Sequence, residues 1–178
     1  MADGFFKRLF TGSDSSDPLR PLYAAVVAEA RRPDWYRDGG VPDTMDGRFE
    51  MVSAVMAIVF IRLDAIGVSA AEAAVRLADV YAEDMEGQLR QIGIGDAVVG
   101  KHMGKLVGAL GGRLGAYREG LAAKEVEGEG ALEEALSRNL YRGAAPTPAA
   151  LAFTTAAFRA LHERASARSL DQLMAAEL

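Results

Sequence analysis

Apolar residues recur three and four positions apart through most of the chain, and no stretch alternates apolar with polar as a half-buried strand does. The pattern predicts helix after helix. The first starts after Asp17 with Pro18 in its first turn and runs to about Arg32, where Pro33 stops it. PDWYRDGG (33–40) leaves room for one short turn. Thr44 is the natural N-cap of the second helix, with Asp46 favourable in its first turn. Phe49, Val52, Met56, Val59, Phe60 and Leu63 follow at helical spacing, and Gly67 is the expected stop. Residues 51–61 are apolar nearly all round, so this helix is expected at the centre. Ser69 and Glu72 read as a capping box opening a third helix that reaches about Ile92. Asp96 caps a fourth. KEVEGEG (124–130) reads as a linker, ALEEALSRNLYR as a fifth helix, and Thr147-Pro148 opens a sixth. A short tail helix from about Ser169 is allowed. The fold class expected is all-α: one compact domain over residues 18–178, an irregular bundle of about six helices, behind a flexible N-terminal segment 1–17.

Within the fourth helix, Gly100, Gly104, Gly108 and Gly112 recur every fourth residue, with Gly111 and Gly115 nearby. Each costs a helix interior about 0.5–1 kcal/mol relative to alanine. Close packing against another helix of the domain is the first expectation, and a groove for a partner's segment the second. Lys101, His102, Lys105 and Arg113 exclude a membrane-spanning role for the stripe.

The 178 residues are half hydrophobic, which is globular composition, and 20 basic against 25 acidic residues leave a net charge of −5. With no large basic block, nucleic acid is a poor partner. The absence of cysteine excludes disulfides, thiolate zinc sites and a thiol nucleophile. His102 and His162 lie in different helices with no motif around either. No glycine-rich nucleotide loop follows a strand, and no Glu–His pair repeats on two helices. No cofactor, metal or catalytic group is therefore expected. Asp79, Glu83, Asp84 and Glu86 form an acidic patch on the third helix, read first as a solvated face beside Arg76 and Arg90. The alternative is a divalent-metal site in a helical enzyme. Phe5, Phe6, Leu9 and Phe10 surround Lys7-Arg8, too broken an apolar run for a signal peptide. They could rest in a membrane interface, making the protein a general peripheral adaptor, or pack on the domain. The longest oily run, 51–61, is shorter than the roughly 20 residues of a membrane span, so a cytoplasmic location is expected.

Four ordered blocks then carry a resemblance. YAAVVAEARRPDWYRDGGVPDTMDGRFEMV (23–52) is followed by AEDMEGQLRQIGIGD (82–96), GRLGAY (112–117) and LSRNLY (136–141). Together, over residues 20–142, they resemble the ubiquinol–cytochrome c chaperone family, with mild departures at Glu86, Gly87, Gln91 and Ile92. The resemblance implies a non-enzymatic assembly factor of the cytochrome bc1 complex. Its client would be newly made cytochrome b, with a small partner protein and the ribosome nearby and peripheral contact with the inner membrane. On that view Arg48, Asp84, Arg90 and Asp96 line a polar-rimmed client surface, with Asp43 and Asp46 beside it and Trp35, Tyr36 and Phe49 as aromatic anchors. The plainer alternative is that Asp43, Asp46 and Arg48 cap and brace the turn between the first two helices, and that the aromatics are core.

Overall fold

The structure, a computed structural model, describes residues 17–91, 93, 96–123, 129–142 and 144–178. Phe5, Phe6, Leu9 and Phe10, linker residues 124–128, and the side chains of Asp96 and His102 lie outside what is described. Among the described residues there is no strand. The described residues form six long helices: α1 (Arg20–Ala30), α3 (Met45–Ile66), α4 (Ala71–Gln91), α5 (Asp96–Ala122), α6 (Glu129–Asn139) and α7 (Pro148–Ser166). Two five-residue helices, α2 (Pro33–Arg37) and α8 (Leu170–Met174), accompany them.

Local chemistry accounts for most boundaries. Asp17 accepts from the Leu19 backbone at 2.8 Å, so a turn precedes α1 and Pro21 enters its first turn. The chain leaves the helical region at Arg32 (ψ 131°), as the residue before a proline must. Thr44 caps α3 by accepting from Gly47 N at 3.1 Å, and Gly67 ends it at φ 90°. The predicted box at Ser69 does not form. Val68–Ala70 is a 3-10 turn running into α4, so Ser69 lacks the extended backbone of an N-cap. A capping box does occur at Ser169, with Gln172 returning the bond, and it opens α8.

α3 is the axis of the fold. Glu50 through Val59 are all buried, and α1, α4, α5 and α7 pack around them. α6 joins α5 to α7, and α8 closes on α1. Several buried polar groups are paired, while Tyr117 OH and Thr155 Oγ1 have no hydrogen-bond partner among the described residues. Ser53 Oγ and Tyr81 OH share a bond at 2.9 Å. Arg113 on α5 reaches Glu50 at 2.5 Å, with only about a tenth of either side chain exposed. Burial pushes the Glu50 carboxyl up from its ordinary range, opposed by Arg113 and Arg142.

The glycine stripe corrects the first expectation. A Cβ added at Gly100, Gly104, Gly108, Gly111, Gly112 or Gly115 meets nothing within 4 Å, and all six are exposed. The glycine that α5 needs for packing is Gly120, where a Cβ would stand 2.7 Å from Leu132 Cα on α6.

Candidate functional site

Gly47 explains how GVPDT sits. A Cβ there would fall 1.9 Å from the Pro42 carbonyl oxygen, so the loop lies directly on the first turn of α3. Further back, Tyr141 OH donates to the Gly39 carbonyl at 2.5 Å and meets Thr154 Oγ1 at 2.8 Å. The loop is thereby held against α6 and α7 at its root and against α3 at its tip. α2 is stapled to the end of α1 in the same way. Trp35 Nε1 donates to Glu29 O at 3.0 Å, beside the Arg32 backbone N–H, and Tyr36 OH donates to Ala30 O at 2.8 Å, satisfying a carbonyl at the helix terminus.

This arrangement leaves a grooved face between α1, the start of α3 and the second half of α4. Its most enclosed part, about 340 Å³, has Val27, Phe49 and Val52 as floor and Arg48, Asp43 and Asp84 around it. One adjoining cleft of about 630 Å³ extends toward Tyr23 and Glu83, and another of about 490 Å³ toward Tyr36 and Arg37. Arg48 Nε donates to Asp43 at 2.7 Å across the exposed rim. That bond holds the Asp43 carboxyl below its usual range and pushes the guanidinium up. Asp84 accepts from Tyr23 OH and from Gln88 Nε2, each at 2.6 Å. Burial, then the bond to Asp84, pushes the Tyr23 phenol well up, so it remains a donor.

Of the residues the sequence singled out, Asp43, Arg48, Phe49 and Asp84 meet around the central cleft, and Tyr36 lines its neighbour. Trp35 takes the core alternative, at 1% exposure. Asp46 is turned to the other side of α3, where Arg142 meets it at 2.9 Å. Arg90 pairs with Glu86 on the far side of α4. Asp96 opens α5. Three carboxylates of the acidic patch are already engaged: Glu83 with Arg20 at 2.8 Å, Asp84 with Tyr23 and Gln88, and Glu86 with Arg90. Among the described residues, no group of three or more histidine or carboxylate side chains could hold a metal ion. No helix described is long and apolar enough to cross a membrane. The sequence singles out Arg31 only as the helix end of the family pattern and gives no sign of Val27 or Gln88, each one turn from Tyr23 or Asp84; the packing of α1 on α4 brings them together in the groove.

The model of the ubiquinol–cytochrome c chaperones matches residues 37–178. The chain belongs to that family. The match extends past the last of the four sequence blocks and takes in α7 and α8. A solved structure, that of the Cbp3 homolog from Brucella abortus, is similar over the whole chain and 95% of its own, at 30% identity and a TM-score of 0.78. No curated protein sequence matches.

Proposed function

We propose that the protein is an assembly chaperone of the cytochrome bc1 complex that acts by binding, without catalysis, and that its client is newly made cytochrome b. The family match over residues 37–178 carries this reading. The groove supports it, because an apolar floor inside a polar, ion-paired rim is the composition of a protein-binding face. Asp43, Arg48, Phe49 and Asp84 are the contacts we assign to it, with Tyr36 at its edge. A small partner protein, a ribosome contact and peripheral attachment at the inner membrane belong to the same reading. Deleting the gene should deplete the bc1 complex while leaving other respiratory complexes at wild-type level. The strain should be restored by the wild-type gene and poorly by Arg48→Glu/Phe49→Ala. Normal bc1 levels in the deletion strain would end the proposal.

A further inference from the structure

The three clefts meet at Arg31, which lines all of them from the C-terminus of α1. Four arginines border this face. Arg20 holds Glu83 at 2.8 Å, Arg37 holds Asp38 at 2.6 Å and Arg48 holds Asp43 at 2.7 Å. Arg31 holds no carboxylate among the described residues, although the chain is acidic and Asp84 lines two of the same clefts. Asp84 is occupied by Tyr23 and Gln88 instead. Among the described residues, the Arg31 guanidinium is thus left without a carboxylate at the point where these clefts join, over an apolar floor.

We infer that Arg31 receives a carboxylate of the client protein, borne close to a large apolar side chain that enters the cleft over Phe49 and Val52. The inference rests on the chaperone reading and names the chemistry the client segment presents. A planar guanidinium fork matches a carboxylate through two parallel bonds, which fixes orientation as well as charge. About 340 Å³ is at the small end of binding cavities, room for one or two side chains and not for a folded surface. An anionic lipid surface is the weaker source of negative charge here. Asp43, Glu83 and Asp84 share the face and would repel a sheet of phosphates, whereas a single carboxylate can be aimed between them.

Selection of phage-displayed random linear peptides on the full-length wild type and on Arg31→Glu tests this. Wild type should enrich Asp or Glu beside Phe, Leu, Met or Trp, and Arg31→Glu should exchange the acid for Lys or Arg at that position. The best wild-type peptide should bind Arg31→Glu and Arg31→Gln at least tenfold more weakly, with Arg31→Lys between. Its Asn or Gln counterpart should lose as much on the wild type. Unchanged thermal unfolding of Arg31→Gln separates recognition from folding. A wild-type selection without an acidic position, or equal affinity for the amide peptide, overturns the inference. So does Arg31-dependent binding of phosphatidylglycerol vesicles with no peptide selected. None of these results touches bc1 assembly, which the deletion strain judges separately.

Discussion

Replacing Gly104, Gly108 and Gly111 together by alanine should make this protein more stable. All three are helical and exposed, and a methyl group on any of them meets nothing within 4 Å. Alanine is favoured over glycine in a helix interior by about 0.5–1 kcal/mol. Summed over the three sites this is about 1.5–3 kcal/mol, which in a chain of this length raises the unfolding midpoint by roughly 3–12 °C. Gly120→Ala is the counter-test and should have the opposite sign. Its methyl would stand 2.7 Å from Leu132 Cα, and backbone cannot step aside as a flexible side chain can. Overpacking of that kind costs about 1–3 kcal/mol. Urea unfolding followed by far-ultraviolet circular dichroism measures both, with an unchanged m-value as the sign that only stability moved. A triple variant less stable than wild type would refute the reasoning. It would mean that the stripe packs against something within the domain, as its spacing first suggests.

The buried Glu50–Arg113 pair should behave asymmetrically. Arg113→Met alone should cost about 3–5 kcal/mol by leaving a carboxylate buried, while Glu50→Leu/Arg113→Met should recover most of that loss in the same urea assay. In carboxyl NMR titrations Asp43 should titrate below 3.8 in the wild type and return toward that value in Arg48→Ala, because the rim bond is the main cause of its depression. His162 is held below 6.5 chiefly by burial, so the unfolded chain takes up its proton first as pH falls. Stability should therefore drop as pH falls below about 6.5, and His162→Gln should flatten that slope. Tyr141→Phe should cost about 1 kcal/mol, since the Gly39 carbonyl loses its shorter hydrogen bond while Thr154 Oγ1 still donates to it at 3.3 Å.

What the sequence displayed was local. Thr44 and Gly67 bound α3 as their chemistry requires, and Asp43, Arg48 and Phe49 share the groove because they lie close together at the start of α3. Asp84 joins them through the packing of α4 on α1 and α3, which also brings it to Tyr23. Asp46 and Arg90 stand in the same sequence blocks as groove residues yet point elsewhere, because a motif fixes neighbours along the chain and not the face each presents. The glycine stripe shows the same limit. Its spacing says which residues share a side of α5 and leaves open what that side meets. Ser69 failed for a related reason, since it lies inside a 3-10 turn whose backbone is not that of an N-cap.

The hydrogen bonds that Tyr141 and Thr154 make to the Gly39 carbonyl span 102 and 115 positions of sequence. A translating ribosome at about 5–20 residues per second completes Thr154 roughly 6–23 seconds after Gly39. During that interval the nascent chain already carries Asp43, Arg48 and Phe49 but lacks the footing beneath them. Anchoring of the loop therefore waits for translation of the α7 segment, and early termination upstream of it yields a product that carries Asp43, Arg48 and Phe49 without an anchored rim.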